Sequence, residues 1–269
     1  MSEKSAPNES DEQSTKNVLI VSAHPEPRSL NASLASFAAE ELRRAGHHVR
    51  TSDLYAMKWK AGVDADDFPD HSPADRLDVM AVSGDATERG RLAGDIAAEQ
   101  EKLLWSDAVI LQFPMWWFSV PAVLKGWIDR VFTYGFGYGD SRMPRYGDGV
   151  LAGRRAMLSL TVGARDTAFS ARGVHGPMDQ VLFPLQHGLL HYTGMEVLEP
   201  FVVWHAIGLG EDAYEAATRE YRERLRTLFT AEPIPFRTLK DGDYTRSLEL
   251  RPGLETPGSS GLALHVRGG

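Results

Sequence analysis

Four aromatic residues fall within six positions at Phe113–Phe118, and two of them, Trp116 and Trp117, are adjacent. The surrounding stretch, FPMWWFSVPAVLKGW over 113–127, is hard to place in an ordinary turn. Aromatic side chains offer flat walls and a turn offers unpaired backbone N–H groups, a pairing that suits a planar heteroaromatic ligand. The competing reading is a cover over a sheet edge or an oligomer contact. A second candidate is AHPEPRSLNAS over 23–33. There Ser29, Asn31 and Ser33 bring hydroxyl, amide and N–H groups to a helix start, and Arg28 adds a cation. Such a start can hold a phosphate, or can be a capped helix and nothing more. The third candidate, TVGARDTAFSARGVHGPM over 161–178, is polar and long and ends in His175 just before a helix. Beside a flat cofactor, that imidazole could carry positive charge toward an anion formed during reduction. Elsewhere a lone histidine is a structural hydrogen-bonding group.

Other chemistries are disfavoured. The first loop lacks GxGxxG, so a nucleotide held by a glycine-rich turn is not expected. Neither HExxH nor GxSxG occurs, so no metal site and no hydrolase elbow is expected. With no cysteine, thiolate zinc, thiol nucleophiles and disulfides are excluded. The net charge of −8 sits largely in two places: −2 in the first sixteen residues, and −6 over Ala61–Asp85, where seven Asp face only Arg76. No basic face for nucleic acid remains. No apolar run reaches the roughly 20 residues a membrane span needs, and MSEKSAPNESDEQSTK is no secretory signal. A cytoplasmic protein without membrane insertion is the expectation.

The elements that must position these loops alternate in type. NVLIVSA over 17–23 reads as a strand buried on both faces. A helix follows from Asn31, the predicted N-cap, to about Ala45, stopped by Gly46. HHVRTSDL is a second strand with an exposed start, and Ala61–Asp85 a long loop. A helix is predicted from Thr87 to Trp105, and a third strand over Asp107–Phe113. A helix over Pro121–Phe132, a strand over Arg154–Gly163, a helix over Met178–Tyr192, a fifth strand over Met195–Val203 and a helix over Glu211–Phe229 complete the series. Five strand–helix units imply a doubly wound parallel α/β sheet of flavodoxin-like order 2-1-3-4-5 with helices on both faces. Ligands of such sheets bind beyond the carboxyl ends of the strands, where all three loops lie. The expected domains are a disordered tail over 1–16, a catalytic domain over 17–231 and a non-core extension over 232–269.

The same loops resemble a known family. AHPEPRSLNASL, SDLYAM (52–57), EQEKLLWSDAVILQFPMWWFSVPAVLKGWIDRVF (99–132), GVHGPM (173–178) and VLEP (197–200) are similar to segments of the DT-diaphorase-type NAD(P)H:quinone oxidoreductases, in order, over roughly 17–229. The resemblance implies a flavodoxin-like homodimer that holds FAD at the dimer edge, with FMN the lesser alternative. It implies two-electron ping-pong transfer from NAD(P)H to quinones through one pocket. His24, Ser29, Leu30 and Asn31 would line the pyrophosphate and ribityl region, beside the Arg28 and Ser33 read above from the helix start. Pro114, Met115, Trp116, Trp117 and Phe118 would hold one side of the ring, and Thr161, Val162, Gly163 and Ala164 its pyrimidine edge. His175, Phe169 and Gly163 are the catalytic positions. Trp117, Phe118, Tyr138, Met143 and Tyr192 border the substrate, partly from the partner subunit. Phe169 stands where the mammalian enzymes have Tyr, Asp140 where they have a second Tyr, Tyr214 where they have an Arg, and Ala164 replaces a glycine. The resemblance leaves two alternatives: an azo- or nitro-reductase on the same flavin, and a flavin-binding regulatory or electron-carrier subunit with little turnover.

Overall fold

Apolar side chains on both sides of Val18–Val21 require cover on both faces of a sheet, and the computed structural model, which describes residues 14–268, has that arrangement. β1 (Asn17–Ser22) lies between β2 (His48–Asp53) and β3 (Ala108–Pro114), and β4 (Arg155–Thr161) follows β3. All pairs are parallel, and the order is β2-β1-β3-β4-β5 as expected. The fifth strand is not continuous. It divides into β5 (Glu196–Val197) and β6 (Phe201–Val203), both paired with β4, because Pro200 in the gap has no N–H to give a ladder.

One face of the sheet packs on α1 (Leu30–Arg44) and α6 (Glu211–Arg226), through Ile20, Leu34, Leu42, Met157, Phe201 and Tyr221. The other packs on α3 (Gly94–Trp105), α4 (Ala122–Val131) and α5 (Met178–Leu185), through Leu19, Leu111, Phe113, Trp127, Leu158 and Leu182. Gly46, at φ +87°, ends the first helix as its sequence position implies. Among the described residues no helix is long and apolar enough to cross a membrane.

Several expectations are corrected. The cap of α1 is Ser29, whose side chain accepts from the Ala32 N–H, and Asn31 lies inside the helix. Ala61–Asp85 is not one loop: it contains a 3-10 turn at Ala65–Asp67 and the start of α2 (Val79–Glu88), capped by Asp78. The single helix predicted over 87–105 is therefore two, broken near Gly90, whose φ is +65°. α5 stops at Leu185 and widens into a π turn at Gln186–His191, just after Pro184, which removes a helical N–H and crowds the preceding turn. β2 starts at exposed His48 as expected, but His47 just before it is buried against Phe229, with ring centroids 5.3 Å apart. The extension after Glu232 is not peripheral: Phe236 joins the core, and buried Arg237 binds Asp243 at 2.8 Å. Of the tail predicted over 1–16, residues 1–13 lie outside the described residues.

That extension closes over three histidines. His187 stacks on Phe183 at 4.5 Å and lies 5.4 Å from His191 and 5.6 Å from His265. Tyr146 and Phe236 complete the cage, Tyr244 donates to or accepts from His265 at 2.9 Å, and Arg237 stands nearby. Burial, together with the two neighbouring imidazoles, drives the pKa of His187 down to about 3; burial lowers His191 and His265 too. An unfolded histidine titrates near 6.5, so the unfolded chain binds protons that the folded one refuses. Stability from this cage is complete above about pH 6.5 and is lost as pH falls toward 3, at roughly 1.4 kcal/mol per pH unit for each histidine still neutral. In His187→Phe the fall in thermal midpoint between pH 6.5 and 4 should be shallower than in the parent.

Candidate functional site

The carboxyl ends of β1, β3 and β4 bring the three loops to one edge of the molecule. The aromatic loop is a tight turn: Trp116 N–H donates to the Ser119 carbonyl and Ser119 N–H to that of Trp116, both at 3.0 Å. Its two central residues are Trp117 (φ +51°) and Phe118 (φ +61°), both left-handed. L-residues pay about 1 kcal/mol or more each for that conformation, and bulky aromatics are rare in it. The strain persists because both ends are held. Met115 N–H donates to the Thr161 carbonyl at 2.9 Å, and Pro121 opens α4. The turn displays its rings: Trp117 is 95% exposed, and Trp116 and Phe118 are also exposed. Pro114 is buried at the end of β3 and serves as frame.

Facing this turn, the β4 loop supplies the second wall. Val162 is buried, and its N–H is taken by the Val203 carbonyl. Among the described residues, the N–H groups of Trp117, Phe118, Gly163 and Ala164 make no hydrogen bond, and neither do those of Leu30 and Asn31 at the start of α1. The edge is therefore a shelf lined with donors and open aromatic surface. His175 lies over it with its ring 5.1 Å from Phe118 and 4.8 Å from buried Phe169, and its N–H closes the loop onto the Ala168 carbonyl at 3.0 Å. Phe169 in turn touches Trp204 at 5.6 Å. Phe169 leaves His175 without the hydroxyl partner a tyrosine would give.

The phosphate-holding set needs three corrections. Arg28 turns back to Glu26 at 2.9 Å on the surface, and that carboxylate's pKa is lowered by the hydrogen bond. The Asn31 amide does not face outward; it is buried, with Nδ2 donating to Thr161 Oγ1 at 2.8 Å. Ser33 N–H belongs to the helix, donating to the Ser29 carbonyl at 2.9 Å. What remains for an anion is the Leu30 and Asn31 backbone at the positive end of α1. His24 sits beside them, its Nδ1 accepting from Glu26 N–H at 3.1 Å and its ring 6.2 Å from Trp116.

Within the chain, no aromatic contact among the described residues brings Tyr138 or Tyr192 to the shelf, and Met143 packs beside Gly139. Tyr138 packs edge-on against Tyr134 at 5.5 Å, and Tyr192 against Tyr146 at 5.0 Å. Asp140 is occupied by Arg142 at 2.6 Å. Two participants were missed in the sequence: Gln112 and Ser159, both fully buried behind Asn31. The signal was present, since each is a polar residue inside an otherwise apolar strand.

Comparison with known proteins places the chain in a family and a fold. Residues 16–228 match a family described as having a flavodoxin-like fold. The ribosyldihydronicotinamide dehydrogenase-like protein traD of Penicillium crustosum is 47% identical over 257 residues, 93% of this chain and 95% of that protein. The rat NAD(P)H dehydrogenase [quinone] 1 is 37% identical, over 82% of this chain and 80% of its own length. A crystal structure of a candidate quinone reductase from Klebsiella pneumoniae superimposes with a TM-score of 0.90 at 49% identity, covering 94% of this chain and all of that one.

Proposed function

The chain belongs to the flavodoxin-like family of NAD(P)H:quinone oxidoreductases, and from that premise we propose that it reduces quinones or similar flat, electron-poor aromatics, with a bound flavin and NAD(P)H as donor. The observation that carries this reading is the Trp116–Ser119 turn. Two strained aromatic residues stand out from the fold and face a second loop whose N–H groups are free.

The residues present fit a flavin. Trp116, Trp117 and Phe118 would lie along its ring, with N–H groups of Trp117, Phe118, Gly163 and Ala164 meeting its carbonyl and ring-nitrogen edge. Leu30 and Asn31 N–H groups would receive its phosphate at the end of α1. The proposed flavin is FAD, and release and mass measurement of the cofactor distinguish it from FMN. Bound there, it supplies two-electron hydride chemistry. The chain's part is alignment: the Trp117 and Phe118 faces hold donor and acceptor in turn against one plane and keep water out. The backbone donors and His175 stabilise negative charge as it develops at that edge. The other wall, from Tyr138, Met143 and Tyr192, is proposed to come from a partner subunit, since among the described residues no ring contact joins Tyr138 or Tyr192 to the shelf. Purified protein should be yellow and should oxidise NADH or NADPH with menadione. Colourless protein that stays inactive after flavin is supplied would refute the reading, and turnover that needs a protein partner would favour the carrier role.

Phe169 gives a gain-of-function test. Phe169→Tyr adds a hydroxyl to a ring 4.8 Å from that of His175, which makes no side-chain hydrogen bond among the described residues. One added hydrogen bond that strengthens in the transition state is worth about 1.4 kcal/mol or more. The rate of flavin reduction by NAD(P)H in stopped flow should rise about tenfold.

A further inference from the structure

Behind the shelf, four buried side chains form one hydrogen-bond line. Ser159 Oγ donates to Gln112 Oε1 at 2.6 Å, Gln112 Nε2 donates to Asn31 Oδ1 at 2.9 Å, and Asn31 Nδ2 donates to Thr161 Oγ1 at 2.8 Å. Gln112 and Ser159 are register partners on β3 and β4, Thr161 ends β4, and Asn31 lies in the first turn of α1. At the inner end Tyr221, fully buried and stacked on Phe201 at 4.3 Å, places its hydroxyl beside Ser159 without a well-formed bond. Each polar group held in an apolar core costs 1–3 kcal/mol, roughly, if it is left unpaired. The line therefore has to satisfy its members, and it does so best in one direction.

Hydroxyl protons set that direction. If both amides turned over, Gln112 would donate to Ser159, and the buried Ser159 O–H would lose its acceptor while that of Tyr221 gained none. In the observed order the Ser159 O–H has its acceptor, of the two hydroxyls only that of Tyr221 lacks a well-formed bond, and Thr161 Oγ1 receives an N–H. Its own proton has no acceptor among the described residues, so it must go outward, to the edge where Gly163 and Ala164 also present free N–H groups.

We propose that Ser159, Gln112 and Asn31 are positioning residues that turn the Thr161 hydroxyl into a fixed donor toward the ring system held on the shelf, and so stabilise its electron-rich, reduced form. This rests on the flavin reading above. A fixed donor strengthens as its acceptor gains charge, so the relay favours the reduced state over the oxidised one.

The test is the midpoint potential of bound flavin by spectroelectrochemistry, with the dissociation constant of the oxidised flavin measured alongside. Thr161→Val should make the potential more negative by about 30 mV, the two-electron equivalent of a tenfold loss, whereas Thr161→Ser should retain the parent value. Gln112→Leu, which carries no charge and breaks the line between Ser159 and Asn31, should shift the potential in the same direction by less. The double variant should move no further than Thr161→Val alone, because both changes act through one hydroxyl. Ser159→Ala serves in the same cycle if Gln112→Leu does not fold. Additive shifts, or a potential unmoved in Thr161→Val, would overturn the relay while the flavin reading stands. A parent protein that binds no flavin would overturn both.

Discussion

Trp117→Gly is expected to lower kcat/KM for a quinone about 10²-fold without lowering the thermal midpoint. The two effects separate because the side chain does almost nothing for the fold. It is 95% exposed, and its backbone is held at φ +51°. Glycine adopts that conformation without a Cβ clash, which relieves about 1 kcal/mol or more. Against this stands the larger freedom of glycine in the unfolded chain, worth roughly 0.4–1 kcal/mol. Stability should therefore be unchanged or slightly raised. Activity has no such compensation. The indole is the most exposed flat surface at the shelf, and its loss lets a stacked ligand tilt or slide; a misplacement near 1 Å costs about 10²-fold, or 2.7 kcal/mol. Steady-state kinetics and calorimetry on the same sample check it. A large drop in the midpoint would mean that Trp117 packs within the assembled protein, and unchanged kcat/KM would remove it from the site.

The positions of this site were legible because its parts are local. Sheet order followed from five strand–helix alternations, and the strand ends then fixed which loops converge. The aromatic turn was visible as composition, since Trp116, Trp117 and Phe118 are adjacent in the chain. What could not be read was the direction in which a side chain faces. Asn31 belongs to the predicted phosphate loop, yet its amide turns inward, because Gln112 and Thr161 offer partners 81 and 130 positions away in sequence. Arg28 looked like an anion ligand and instead pairs with Glu26 two residues before it. Partners of that kind appear only once the chain is folded.

The acidic segment is the sharpest case, and it carries the second large effect. Seven Asp over 61–85 suggested a solvated loop. Asp67 is instead buried, and accepts from Arg130 Nε and Nη2 at 3.1 and 2.9 Å and from Lys60 Nζ at 2.7 Å. Arg130, buried on α4, also donates to the Lys60 carbonyl at 3.2 Å, reaches Asp95 at 2.8 Å, and lies 4.5 Å over the Trp59 ring. The loop comes close enough here that a Cβ at Gly126 would fall 2.2 Å from the Ala61 carbonyl oxygen. Asp67→Ala strands a guanidinium in a buried place with only the partly exposed Asp95 opposite it, and should cost 3–5 kcal/mol, roughly, in urea unfolding. Removing both charges, in Asp67→Ala with Arg130→Met, should cost less than Asp67→Ala alone, because no uncompensated ion is left. A double variant no better than the single one would show that hydrogen bonds from Arg130 to the loop backbone, and not the ion pair, hold this segment. The consequence reaches the shelf. α4 begins three residues after the Trp116–Ser119 turn, so loosening it frees the end that keeps Trp117 and Phe118 in their strained conformation. Activity in Asp67→Ala should therefore fall at a lower temperature than the far-ultraviolet circular dichroism does.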